Sequence, residues 1–424
     1  MSAKKRSSRA PGRQGGRGRG KAPSTGPSVR SPGVKVTAPA ASALRAGHPW
    51  IFRDALTRPL SLDTGSVVSV SDEDGHKLGF GLVDRDATVA VRMIGRGETG
   101  AFEAPEVRAR IDKALARRER LMDDGTATAR RLVHGEGDGL PGFAVDRFGD
   151  FLVVYKYARC IEPWVETALD HLMEVVGPEG IYLQDRVRPV AAEDHRPAAA
   201  NVRGKAAPPE YEVEEDGLRF LVDPSAPVSP GLFLDLREGR RLAEQWCGGK
   251  RVLNLFSFTG AFGVRAVRAK AEEVVNVDAA ARSHARCRQN LAASGLDSEA
   301  VEGLVGDVFK HLEKFRQRER TFDFAVVDPP PFSNVDGQVF SALKNWQELV
   351  TATAQVMAPG GLMLAVCNAA GLPEQDFLNA LGRGAAAARR GIRIVSELGL
   401  PPDFPVVPAF TEGRYLKVKL VEFS

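Results

Sequence analysis

Residues 251–266 read RVLNLFSFTGAFGVRA, residues 274–281 VVNVDAAA, residues 304–309 LVGDVF and residues 322–332 FDFAVVDPPPF. Each is an acidic or glycine turn at the border of a short apolar run. Val252, Leu253 and Leu255 make a run suited to a buried parallel strand. It closes on Gly260 and Gly263, with helix-compatible residues beyond. Glycines at such a turn let a ligand approach the backbone at the start of a helix. The run 274–277 ends in Asp278, 18 residues after Gly260, where an acid is placed to hold ribose hydroxyls. Gly306-Asp307 and the run 322–327 follow in order. Asp328 then falls at the carboxyl end of a strand, where open α/β sheets bind ligands. The succession predicts an α/β, doubly wound, Rossmann-like sheet. A dinucleotide enzyme also fits this much, but the glycines are not spaced G-x-G-x-x-G, which speaks against a nicotinamide cofactor. Singly, Gly260 or Asp278 would be ordinary turn chemistry; four signals in order carry the reading.

The acceptor-side run Asp328-Pro329-Pro330-Pro331-Phe332 resembles the Asp-Pro-Pro-x-Phe of class I methyltransferases that modify rRNA bases. Other segments narrow the resemblance to bacterial large-subunit rRNA cytosine-5 methyltransferases with an N-terminal PUA domain. Residues 231–237 (GLFLDLR) are similar to that family's G-x-[FY]-x-D-x-R. Residues 138–142 (DGLPG) with Val145-Asp146-Arg147 are similar to its D-G-L-P-G…D-R-[FY], and residues 48–52 (HPWIF) to the opening of its PUA domain. The resemblance covers about residues 36 to 424. It departs at residues 402–406 (PDFPV), where Phe404 stands in the usual place of His.

The resemblance implies a seven-stranded S-adenosylmethionine (SAM) methyltransferase domain over 210–424, preceded by a small PUA-like β-barrel over 36–103 and a central α+β domain over 104–185. The cofactor it implies is SAM, held by Phe256, Gly260, Gly263, Asp278 and Asp307, with Asp235 and Arg237 as helpers. Pro329, Pro330 and Phe332 would meet the base. No metal is called for, since SAM is already an activated methyl donor. The partner implied is large-subunit rRNA, with a homodimer left open.

Composition fits this picture. Over 424 residues, 43% are hydrophobic and 26% charged, as in globular proteins of two or three domains. No apolar run is long enough to span a membrane and the N-terminus lacks an apolar signal core, so the expected location is cytoplasmic. Cys160, Cys247, Cys287 and Cys367 are scattered, which suggests neither a zinc site nor a disulfide framework. The net charge of +4 conceals an asymmetry: residues 1–35 hold ten Lys or Arg and no acid, leaving −6 for the rest. Such a tail cannot fold alone. It reads as an arm for RNA phosphates or as a dispensable extension.

Between the ends, residues 66–70, 78–83 and 88–93 read as strands with a turn at Asp74-Gly75, and Arg45, His48 and Arg53 are candidate RNA contacts. Residues 105–122 and 161–176 read as helices, 151–157 and 181–183 as strands, and 186–209 as a Pro/Ala/Arg-rich linker. Asp138 to Gly142 reads as a turn that packs domains together.

Methylation of cytosine C5 needs a thiolate, because C5 is a poor nucleophile until C6 carries one. The resemblance implies a thiol either just after the Pro-Pro of the acceptor loop, where Pro331 stands, or at the end of the fifth strand, where Cys367 ends a strand predicted over 362–367. There the family shows Ser-Cys-Ser, whereas Val366 and Asn368 flank the cysteine here. A buried cysteine is also commonly just a small hydrophobe. Asp328 would hydrogen-bond the target base at N3. Two other functions fit the sequence: a methyltransferase of the same fold acting on guanine N7 or adenine N6, and a non-catalytic RNA-binding ribosome assembly factor.

Overall fold

The computed structural model describes residues 32–97, 100, 102–122, 125, 127–187, 198–335 and 338–424. Residues 1–31, most of the basic tail, lie outside them, as do 188–197 of the expected linker.

The N-terminal unit is a curled five-stranded sheet of order β1-β3-β4-β5-β2. Its strands are β1 (Gly33–Lys35), β2 (Trp50–Phe52), β3 (Val67–Ser71), β4 (Lys77–Val83) and β5 (Val89–Gly95), with helix α1 (Ala38–Ala46). Period-two alternation sends Val68 and Val70 into the interior beside Val83 and Val91. The last residues read as tail, Gly33–Lys35, are a strand paired parallel to β3. Too short and polar to register as a strand alone, they are ordered by that pairing.

Next come helix α2 (Ala104–Leu121), strands β6 (Ala129–His134), β7 (Phe143–Phe148) and β8 (Phe151–Lys156), helix α3 (Val165–Val176) and strand β9 (Gly180–Asp185). A fifth strand, β10 (Ala200–Gly204), pairs antiparallel with β9. It corrects the linker expectation: part of that segment is an edge strand, which the Pro/Ala/Arg composition hid. The helices cover one face of this sheet. Its other face, with Phe148, Phe151, Val153 and Tyr155, packs on Val213 and Phe220 of the hairpin β11 (Tyr211–Glu215) and β12 (Leu218–Val222). Apolar burial on both faces fuses this sheet to the hairpin and the C-terminal unit behind it.

The C-terminal unit runs α4 (Arg237–Cys247), β13 (Arg251–Leu255), α5 (Ala261–Arg268), β14 (Glu273–Asp278), α6 (Ala281–Ala293), β15 (Glu302–Val305), α7 (Val308–Gln317) and β16 (Phe322–Val327). A hairpin, β17 (Phe332–Val335) and β18 (Gln338–Ser341), then leads to α8 (Trp346–Ala354), β19 (Met357–Cys367), α9 (Glu374–Ala387), β20 (Ile392–Leu398) and β21 (Lys417–Phe423). The sheet order is β15-β14-β13-β16-β19-β21-β20, parallel except for β21, which is antiparallel to both neighbours. The strands are apolar on both faces because both are covered: Val252, Phe324 and Val326 face one core, Leu253, Ala325 and Val327 the other. The order reverses between β13 and β16, so the crevice opens at their carboxyl ends.

Buried ion pairs join the units. Arg240 of α4 grips Glu215 of β11 with two bonds (2.7 and 2.6 Å), and Arg265 of α5 adds a third (2.8 Å). Burial alone would raise the Glu215 pKa, but the two guanidiniums overcome it and hold the carboxyl down at about 2. Arg118 of α2 binds Asp138 (2.7 Å) and the Asp403 carbonyl (2.7 Å). Gly137 approaches the Pro405 carbonyl so closely that a Cβ would lie 1.8 Å from it. The turn expected over Asp138 to Gly142 thus begins beside the place where Gly137 and Arg118 meet the segment over 403–405.

Candidate active site

The loop after β13 is built under strain. Phe256 (φ +58) and Phe258 (φ +48) occupy the left-handed region without being glycine. Asp278, at the end of β14, holds the loop: its carboxylate accepts from the Phe258 N–H (2.8 Å) and the Ala280 N–H (3.0 Å). Thr259 Oγ1 donates to the Gly231 carbonyl (2.7 Å), which ties the GLFLDLR segment to the same loop. Gly260 begins α5 at φ +78, and a Cβ there would lie 2.3 Å from the Cys287 sulfur. At Gly263 it would lie 2.8 Å from Asn276 Oδ1. Both glycines are thus explained first by close packing of α5 on β14 and α6. Asp307 caps α7, accepting from the Lys310 N–H (3.0 Å), and the Gly306 N–H donates to the Asp278 carbonyl (3.0 Å). Phe256 turns to the other core, its ring 5.8 Å from that of Phe340.

Across the crevice, Asp328 ends β16 with one carboxylate oxygen buried and unpartnered. Burial, reinforced by nearby Asp235 and opposed by Arg240, pushes its pKa up to about 7. Pro329 is buried, Pro330 half-buried, and Phe332 is 63% exposed at the start of the β17–β18 hairpin. Cys367 ends β19, the strand paired with β16, and is only 1% exposed. Burial raises its thiol pKa, while the Ala369 backbone and Lys417, its register partner on β21, favour the thiolate. Lys417 Nζ is anchored by the carbonyls of Ala369 (3.0 Å) and Tyr415 (3.1 Å).

The expected helpers divide. Asp235 accepts from Tyr415 Oη (2.6 Å), and burial raises its pKa. Arg237 is buried with its head committed to Asp403 (2.7 Å), so its contacts are those of an anchor between α4 and the segment over 401–405. Of the surface candidates, His48 is wedged against Phe410 (5.7 Å) and bonds Glu412 (3.1 Å), linking the N-terminal sheet to the C-terminal unit. Arg45 pairs with Asp72, and Arg53 donates to the Arg85 and Ala87 carbonyls.

Among the described residues, four of the ten buried side-chain polar atoms without partners are Ser257 Oγ, Asp328 Oδ1, Asn368 Oδ1 and Trp346 Nε1. Such groups are costly unless something satisfies them. They suit an adenosyl amino acid beside a planar acceptor. Ser257 and Trp346 went unnoticed in the sequence, where nothing distinguishes them from loop and core residues. Among the described residues, no helix is long and apolar enough to cross a membrane.

Comparison with known proteins agrees with this geometry. Residues 34–96 match a PUA-like domain. The chain is 32% identical over 381 residues to ribosomal RNA large subunit methyltransferase I of Shewanella denitrificans, covering 88% of this chain and 95% of that protein. It is 30% identical over 378 residues to the protein of that name in Photobacterium profundum, with the same shares covered. A methyltransferase crystallised with SAH superposes with a TM-score of 0.84 at 25% identity, over 92% of this chain and all (100%) of that one. A SAM-dependent methyltransferase of Streptococcus mutans gives 0.82 at 25% identity, with the same coverage. With residues 130–418 matching the S-adenosylmethionine-dependent methyltransferase family, and a crevice edge suited to that cofactor, the chain belongs to the SAM-dependent methyltransferases.

Proposed function

We propose that the protein methylates C5 of a cytosine in large-subunit rRNA through a covalent bond from Cys367 to C6. The substrate class is carried over from the named relatives. The base is argued from one arrangement: a buried carboxyl with a pKa near 7 at the end of β16, beside a thiol at the end of the neighbouring strand.

Phe256, Gly260, Gly263, Asp278 and Asp307 are assigned to SAM, which supplies an electrophilic methyl group when bound. The chain's residues prepare the acceptor. Protonated Asp328 donates to cytosine N3, which draws electrons from the ring. The Cys367 thiol gives its proton to solvent, the thiolate adds to C6 as Asp328 passes its proton to N3, and C5 becomes nucleophilic. Anchored Lys417 stabilises that thiolate. After transfer the C5 proton leaves to solvent, the C5–H electrons expel the Cys367 thiolate from C6, and N3 returns its proton to Asp328. Pro329 and Pro330 stiffen the loop beneath the base, and exposed Phe332 is free to stack on RNA. The base must leave its helix to reach this depth.

A nitrogen acceptor is the second reading. It is favoured by the unpartnered Asn368 Oδ1, which could accept from an exocyclic amine. RNA carrying 5-fluorocytosine decides between them, because fluorine cannot leave as a proton. The expected result is a trapped covalent complex, and a Cys367→Ala protein that binds SAM normally yet transfers no methyl. Methylation by Cys367→Ala with no trapped complex would move the assignment to nitrogen.

A further inference from the structure

A second cavity, of about 500 Å³, lies between the N-terminal sheet, the central sheet and the segments over 228–235 and 404–415. It falls within the usual range for small-ligand sites. Its wall is aromatic and charged together. Tyr155 and Tyr157, at the end of β8, stack at 6.1 Å with planes 27° apart. The Arg186 guanidinium stands 5.1 Å from the Tyr155 ring. Arg131 is held flat by a two-bond pair with Asp146 (2.7 and 2.9 Å). Asp235 closes the cavity toward the acceptor.

The position decides what such a wall is for. Phe233 lines the cavity and reaches the strained cofactor loop, its ring 5.2 Å from that of Phe258. Asp235 is close enough to Asp328 to raise its pKa. Neither Asp328 nor Cys367 lines the cavity. It therefore adjoins the reaction centre without containing the reacting groups. Stacked tyrosines, a guanidinium over a ring and fixed hydrogen-bonding pairs are how proteins hold unstacked bases. A hydrophobic metabolite would have no use for Arg131, Asp146 and Arg186.

We infer that this cavity binds an unstacked nucleobase of the RNA next to the base being methylated, stacked on Tyr157 and gripped by Arg186. Tyr157 is 45% exposed and so reachable from solvent, whereas Tyr155 is buried and supports it from behind. The inference rests on RNA being the substrate but not on which atom is methylated. The central sheet would thus recognise the strand beside its target, in addition to carrying the catalytic unit.

The test measures binding of large-subunit rRNA to the full chain by filter retention, alongside SAM affinity by calorimetry. Tyr157→Ala and Arg186→Met should each weaken RNA binding about tenfold to a hundredfold, as expected for lost base stacking. SAM affinity should not move, nor should the melting temperature of Tyr157→Ala; Arg186→Met also gives up bonds to Gln184 and the Val228 carbonyl, so its binding is measured at a temperature where it is folded. Tyr157→Phe should restore binding, since the ring face survives. RNA binding unchanged in both variants would overturn the inference. Failure of wild type itself to bind rRNA would instead remove the RNA reading on which it rests. Weak binding in Tyr157→Phe as well would overturn the stacking role, because the hydroxyl would then be what matters.

Discussion

The two edges of the crevice treat their polar groups differently. On the cofactor edge the fold already uses them. Asp278 accepts two backbone N–H groups, Asp307 caps α7, and Gly260 and Gly263 seat α5 against Cys287 and Asn276. On the acceptor edge they are left over: Asp328 Oδ1, Asn368 Oδ1 and Trp346 Nε1 are buried without partners. Among the described residues of the cofactor loop, Ser257 alone is left unsatisfied. A ligand common to every turnover can be met by a loop held rigid in advance, which avoids ordering costs at binding. A base that must be drawn out of RNA is better met by groups whose satisfaction favours its arrival. The same distinction separates residues that should matter for folding from those that should matter only for reaction.

The sharpest break in the comparison is Gly260→Ala. The new Cβ would lie 2.3 Å from the Cys287 sulfur, at a φ of +78°. Left-handed backbone and overpacking together should cost about 2–5 kcal/mol of stability. Thermal melts of the single variant and of Gly260→Ala/Cys287→Ala would measure it. The double variant should recover part of the loss, because the sulfur is gone while Cβ of residue 287 stays at 2.6 Å. A single variant as stable as wild type, with only SAM binding lost, would make Gly260 a ligand residue after all.

Asp278→Ala should show both costs at once. Losing its bonds to the Phe258 and Ala280 N–H groups should reduce stability by about 1–3 kcal/mol. SAM affinity should fall roughly tenfold to a hundredfold. Calorimetry at a temperature where the variant is folded separates the two. Unchanged SAM affinity there would leave Asp278 as a loop clamp alone.

This split also explains what could be read from sequence. The strands β13, β14, β16 and β19 were legible because double-sided burial writes continuous apolar runs, and the turns between them because strained backbone demands glycine or a capping acid. Gly33–Lys35 and Ala200–Gly204 were not, since each becomes a strand only by pairing with β3 or β9. Arg237 looked like a cofactor helper by its place in GLFLDLR, yet its partner Asp403 lies 166 residues further on, a distance that no local pattern reports. Tyr155 and Tyr157 read only as strand residues. Their spacing of two was visible, but the cavity they face is made by two sheets and by segments about 70 and 250 residues further along the chain.

The smallest effect, and the one that tests the acceptor edge directly, is the stability of Asp328→Asn against pH. The folded pKa of about 7 exceeds the ordinary 3.8, so the folded protein holds this proton more tightly than the unfolded chain. Folding is therefore unpenalised below about pH 4 and loses stability as pH rises from there to about 7, beyond which the penalty is constant. Asparagine has the same shape and no charge. It should raise stability at pH 8 by about 1–2 kcal/mol, less than the full shift because the residue keeps some solvent contact. At pH 4 the two proteins should melt together. On the cytosine proposal, methyl transfer should respond oppositely: wild type should lose activity above about pH 7 as Asp328 stops donating to N3, and the amide, which always donates, should lack that descent. A stability gain equal at both pH values would mean that Asp328 is not the strained acid of this crevice, and the contrast between its two edges would lose its best example.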